Sequence, residues 1–338
     1  MTAHGIGLVA RQEIKTRLRT GRWKTLLAVW FVVVNGLGLL FGLAVRAGDS
    51  SDFGDAGVPV FGGVLLGVLV LTLLVTPALS GQSINGDRER GTLATLQVTR
   101  LAPGDIALGK LAAAWGTGVL TLLLTLPCVL WPVATGAVGP GRAVVVLGVI
   151  ALLIGVVCAV SQAWSALLTR SITSVLMSYL TVFGLLVGTP LLFMIGTALT
   201  AERVDHGDHS HTHERTERVW WLLAPNPVVV LADAAPRLPE QRIMVGDHVI
   251  TRAPSDDPLG SLSRDVREIR EGDEDRSYGD RSREDRSHGD RSRDEDENGA
   301  VWPYGLLFNL ALGAGAIRVT ASRLRTPLNR VPKGVRVA

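Results

Sequence analysis

Six long runs of this chain contain no charged residue. They lie between Lys24 and Arg46, Asp55 and Asp87, Lys110 and Arg142, Arg142 and Arg170, Arg170 and Glu202, and Glu297 and Arg318. Each supplies the roughly 20 apolar residues that a helix needs to cross a ~30 Å hydrocarbon core. Backbone amides find no water in lipid, so a crossing segment must satisfy them internally, as a helix does. The sequence therefore predicts an all-α, polytopic membrane protein with six transmembrane helices, over residues 25–45, 58–80, 111–133, 143–168, 172–199 and 301–320.

Orientation follows from the cations, because Lys and Arg in short loops stay on the cytoplasmic side. The arm of residues 1–24 holds Arg11, Lys15, Arg17, Arg19, Arg22 and Lys24. Arg88, Arg90, Arg100 and Lys110 follow the second run, Arg170 the fourth, and Arg318, Arg323, Arg325, Arg330, Lys333 and Arg336 mark the end of the chain. With six crossings all of these share one side, whereas the opposite short loops hold only Arg46 and Arg142. Both termini are thus expected in the cytoplasm, with the first run a signal anchor rather than a cleaved leader. The loop of residues 200–300 is expected outside, since long loops translocate largely regardless of charge. The net charge of +3 gives no support for nucleic-acid binding. Cys128 and Cys158 fall within the third and fourth spans, where a thiol more often packs than reacts, and their number and spacing exclude a disulfide framework or a CxxC metal site.

The arm places Arg11, Lys15, Arg19 and Arg22 at helical spacing, with Val9, Ile14, Leu18 and Trp23 elsewhere around it. This predicts an N-terminal interfacial helix among anionic head groups, or ordinary positive-inside anchoring; both leave it at the inner membrane surface. Gly38 and Gly42 in the first span, and Gly63 and Gly67 in the second, have the spacing that lets helices approach closely. Pro127, Pro132 and Pro190 are expected to bend the third and fifth spans. Within the outer loop, residues 219–232 (VWWLLAPNPVVVLA) are apolar but too short to cross and broken by Pro225 and Pro227, which fits an interfacial or re-entrant segment. Residues 264–298, with repeated Asp-Arg-Ser units, lack enough apolar surface for a core and are expected to be disordered. The remaining segments are a sixth span over 301–320 and a basic tail over 321–338.

The most specific stretch is the cytoplasmic loop of residues 81–110. Glu89, Arg90, Gly91 and Thr92 precede an amphipathic stretch with Leu93, Leu96 and Val98, then Pro103, then Leu108-Gly109-Lys110-Leu111 entering the third span. A short surface helix with charges first and apolar residues behind suits docking into a groove of another protein, although a connecting loop with a chance helix has the same pattern. At these residues, and in the order of its segments, the chain resembles the membrane subunits of type-2 ABC export systems, most closely bacterial permeases grouped with multicopper-enzyme maturation systems. The resemblance implies a plasma-membrane permease whose 81–110 loop acts as a coupling helix through Glu89, Arg90, Gly91 and Thr92. It also implies two partners: a separate cytosolic ABC ATPase that holds ATP and magnesium, and a second copy or paralogue of the permease in the same lipid bilayer. No catalytic residue and no cofactor are expected on this chain.

Gly104 to Lys110 matches G-x-x-x-x-G-K, but Leu111 stands where a phosphate loop needs a Ser or Thr hydroxyl. Leu79-Ser80-Gly81-Gln82 resembles part of an ABC signature but lacks its second glycine. His206, His209, His211 and His213 are candidate copper or zinc ligands, weighed against a merely polar loop of biased composition. A secondary transporter generally keeps ionisable residues near the bilayer midplane; here the polar candidates are only Asn35, Ser161, Gln162, Ser178 and Asn309. A metal-handling scaffold using the His-rich loop is the other alternative to an ABC permease.

Overall fold

The computed structural model describes residues 2–19, 21–48, 57–93, 96, 101–206, 209–213, 216–236, 238, 241–245, 248–252, 257–271 and 299–325. An arm helix α1 (Ala3–Arg19) precedes the first long apolar helix, α2 (Gly21–Gly48), and the second, α3 (Gly57–Ser80). A short α4 (Asn85–Glu89) follows, then the third span as two pieces, α5 (Pro103–Leu123) and α6 (Leu126–Ala134). The fourth span is α7 (Pro140–Leu167); the fifth is α8 (Ser171–Phe183) and α9 (Thr189–Thr200), joined by a π-helical stretch over Gly184–Gly188. Beyond it come α10 (Pro227–Ala234), α11 (Pro258–Glu271) and the sixth span, α12 (Trp302–Arg323). Among the described residues six helices are long and apolar enough to cross a membrane, in agreement with the six charge-free runs, and the chain is a multi-pass membrane protein.

Prolines set many of these boundaries. Pro103, Pro140, Pro227 and Pro258 each open a helix, where a missing N–H costs nothing because the first turn has no partner for it. The third span breaks at Leu124–Thr125, just ahead of Pro127, and the Thr125 hydroxyl donates back to the Leu122 carbonyl at 2.7 Å. In the fifth span, Pro190 removes the N–H that would bond the Leu186 carbonyl. That carbonyl instead accepts from Asn226 Nδ2 at 3.1 Å, and the same amide donates to Thr189 Oγ1 at 3.0 Å. The expected proline effect is thus a docking point for the segment at 219–232. Asn226 Oδ1 meanwhile caps α10 by accepting from Val228 N at 2.8 Å.

The main core joins α2, α3, α5, α6, α7 and α10 around Leu65, Leu69, Leu73, Ile150, Leu153 and Ile154. α12 packs along α7, and α1 along α5. Of the expected glycine contacts, Gly38 meets Cys128 and Gly63 meets Phe41, at distances where a Cβ would overlap; Gly67 meets nothing. The close approach in lipid therefore uses one glycine of each pair.

Two findings change the outer loop. Residues 264–271 are not part of a featureless tract: they complete α11, on which Leu259, Leu262, Val266 and Ile269 recur at helical spacing, with Leu259 and Val266 buried. The composition of the Asp-Arg-Ser units obscures the end of that apolar stripe; residues 272–298 lie outside the described residues. Two antiparallel hairpins also stand in this loop: β1 (Glu202–His206) with β2 (His209–His213), and β3 (Gln241–Val245) with β4 (His248–Arg252), described by backbone alone. The basic tail beyond residue 325 also lies outside the described residues.

Candidate functional site

At the end of the bundle that carries α1, the chain between α3 and α5 changes character within a few residues. Ser83, Ile84, Asn85 and Asp87 are buried, whereas Arg88, Glu89, Arg90, Gly91 and Thr92 are exposed. The buried part is fixed by hydrogen bonds to spans four and five. Ser165 Oγ accepts from the Ile84 and Asn85 amides at 3.1 and 3.0 Å, and Ser174 Oγ donates to the Gly81 carbonyl at 2.7 Å. Burial of backbone donors is tolerated because each has a partner.

The exposed tip holds the four residues singled out by sequence. Glu89 Oε1 accepts from Ser171 Oγ at 2.6 Å, tying the tip to the start of α8. Arg90 donates to Asp87 Oδ1 at 2.9 Å while its side chain stays 68% exposed. Gly91 has φ +71°, a left-handed conformation that L side chains adopt at a cost, so glycine here ends α4 and turns the chain outward. Thr92 Oγ1 donates to the Asp87 carbonyl at 3.3 Å. Behind the tip, Leu93 packs with Ile84, Ile106, Ala107, Ala166 and Leu324, and Leu96 lies against that cluster. Val98, also expected on this apolar face, lies outside the described residues.

Sequence reading missed what holds this base together. Lys110 is 1% exposed and ion-paired to both Asp87 Oδ2 and Glu13 Oε2, the latter at 3.2 Å. One buried cation thus joins the arm helix, the loop and the third span. A buried charge is tolerable only with such partners. Its neighbour Gly109 explains the rest of the Leu108-Gly109-Lys110-Leu111 sequence: a Cβ there would come within 2.6 Å of Val9 Cβ and 2.9 Å of the Ile6 carbonyl. Glycine permits the close crossing of α1 over α5, and lysine then pins it. Asp105 adds a second tie, accepting from Thr2 N at 3.0 Å and Ala102 N at 3.3 Å. A cavity of about 760 Å³ lined by Glu13, Trp23, Asp87, Arg90 and Lys110 opens between arm and loop. The G-x-x-x-x-G-K match lies within α5, so its backbone is helical rather than a phosphate-cradling loop.

The polar residues considered for a carrier mostly have packing partners. Asn35 Nδ2 donates to the Leu124 carbonyl at 2.9 Å, Gln162 Nε2 to that of Ala107 at 2.9 Å, and Asn309 Nδ2 to that of Pro225 at 3.1 Å. Ser178 bonds back to the Ser174 carbonyl at 2.7 Å. Ser161 Oγ is buried without a hydrogen-bond partner among the described residues. The hairpin β1–β2 holds His206, His209, His211 and His213, described by backbone alone.

The opposite end is organised around Asp233, at the close of α10. Its Oδ1 accepts from Ser263 Oγ at 2.9 Å and Arg267 Nε at 2.6 Å; its Oδ2 accepts from the Val301 and Trp302 amides at 2.6 and 2.7 Å. A carboxylate thereby satisfies first-turn donors of α12 and complements its dipole. Nearby, Arg142 and Asp257, both buried, pair between the starts of α7 and α11, with the single nitrogen Arg142 Nη2 lying 2.9 and 2.7 Å from the two carboxylate oxygens. Arg270 lies 4.9 Å from the Trp220 ring and 5.3 Å from that of Tyr304.

No protein-family model and no curated protein matches this chain.

Proposed function

We propose that this chain is the membrane-spanning permease subunit of an ABC-type transporter, working in export and driven by a separate cytosolic ATPase through the loop between the second and third spans. The observation that carries this reading is the split loop: a base locked into the bundle by Lys110, and an exposed tip of Glu89, Arg90, Gly91 and Thr92. A rigid base transmits a push, and an exposed charged tip offers a partner something to grip. ATP and magnesium belong to the partner, whose movement would shift the populations of inward-facing and outward-facing states.

In this reading the arm and both termini are cytoplasmic, with α1 at the inner surface of a bacterial plasma membrane. The segment around α10 is re-entrant from outside. Two copies, or this chain with a paralogue, enclose the pathway; α2 and the fifth span, the least covered of the long helices, are available for that contact and for lipid. A carrier reading is weaker because Asn35, Gln162 and Asn309 already bond across to neighbouring segments and Ser178 bonds within its own helix.

The test is affinity purification of the full chain from membranes in mild detergent. Co-elution of an ABC-type ATPase, lost in Arg90→Glu while the variant stays monodisperse, is the expected result. Reproducible absence of any ATPase beside an intact permease chain would overturn the reading.

A further inference from the structure

The hairpin β1–β2 carries four of the chain's seven histidines within ERVDH and HSHTH. On one continuous strand they would not gather, because successive residues alternate faces. Position 206 is even, whereas 209, 211 and 213 are odd. The hairpin register removes that mismatch. His206 pairs with His209, Val204 with His211, and Glu202 with His213. Residues directly opposite one another share a face of the ribbon, so positions 202, 204, 206, 209, 211 and 213 form one face. Arg203, Asp205, Ser210 and Thr212 occupy the other. All four histidine positions and one glutamate position are therefore collected on a single side of a two-stranded ribbon.

The spacing suits one ion at the turn end of this face, where positions 206 and 209 are opposed and 211 is diagonal to 206, while 213 stands about 13 Å along the strand from 209. Opposed positions in an antiparallel pair stand about 4.5–5.5 Å apart at Cβ, and diagonal ones about 7–8 Å. Imidazole reaches several ångströms past Cβ and binds zinc at about 2.0–2.1 Å. Neutral imidazole suits zinc and copper(II), and copper(II) binds more tightly at a given nitrogen site. A biased composition accounts for four histidines in a short tract, but it does not bring them to one face.

We propose that this face of the β1–β2 hairpin binds a divalent transition-metal ion, zinc or copper(II), through its histidine positions. The proposal is independent of the transport reading, because its readout is metal binding alone.

The experiment titrates metal-free full-length chain in detergent with zinc chloride and with copper(II) chloride, by calorimetry and by elemental analysis after gel filtration. Saturable binding of one ion per chain is expected, tighter for copper(II), and weakened at least about tenfold by His209→Ala. His248→Ala, outside the hairpin, should leave it unchanged. The deciding variant keeps composition and alters only the face: Asp205→His and His206→Asp combined with Ser210→His and His211→Ser. It splits the histidines two and two between the faces, and affinity is expected to fall at least about tenfold. Equal affinity in this variant would show a tract that binds by composition and would overturn the proposal. So would the absence of saturable binding to the unaltered chain.

Discussion

Both ends of the helical bundle bury charge, and they use it differently. At the far end Asp233 receives four donors and Asp257 pairs both oxygens with Arg142, so the polar groups turn inward and close off α10, α11 and the start of α12. At the arm end Lys110 is as deeply buried, yet the residues it holds in place continue into an exposed tip with Arg90 outward. The first arrangement fastens parts of the chain to one another. The second fastens a base and leaves its outer surface for something else. Burial of ions alone does not mark a functional site; what sets the arm end apart is the exposed charged tip beside its buried pair.

Substitutions can break this contrast, and the largest effect is expected at the far end. Asp233→Ala strands Arg267 and two helix-start amides and should cost about 3–5 kcal/mol, read as thermal unfolding of the detergent-solubilised chain. Stimulated ATP turnover per folded molecule should stay unchanged. Lys110→Met leaves Asp87 and Glu13 without their shared cation and should cost about 3 kcal/mol, with stimulated turnover lost as well. Adding Asp87→Asn should recover part of the stability, measured in the same unfolding assay, but not the turnover. Gly91→Ala forces a side chain into the left-handed region at φ +71° and should cost about 1–2 kcal/mol, with a partial loss of coupling. Arg90→Glu removes the exposed partner of Asp87 and leaves the buried Lys110 pair in place, so stability should change by only about 1 kcal/mol, while coupling disappears.

Much of this was legible in the sequence wherever the signal is local. Charge-free runs of span length have one solution in lipid, so the six helices followed. The turn at Glu89, Arg90, Gly91 and Thr92 was legible as an exposed surface segment with apolar residues behind it, because charge, glycine and a following apolar pair lie side by side. Lys110 was not legible: its partner Glu13 is 97 residues away, and a lone lysine entering a span reads as a positive-inside marker. α11 was hidden because Val266 and Ile269 sit among charged residues that dominate composition. The common face of the histidines was hidden by parity, which only strand pairing restores. Asn226 shows a middle case. The proline in the fifth span was noticed, but the partner of the carbonyl it leaves without its helical donor is 40 residues on.

The most direct measurement is ATP turnover by the co-purified ATPase, with the unaltered chain, with Arg90→Glu and with Asp233→Ala, each normalised to folded permease. Turnover stimulated by the unaltered chain and by Asp233→Ala, but not by Arg90→Glu, is the predicted result. Equal stimulation by all three would contradict the assignment of coupling to the exposed tip.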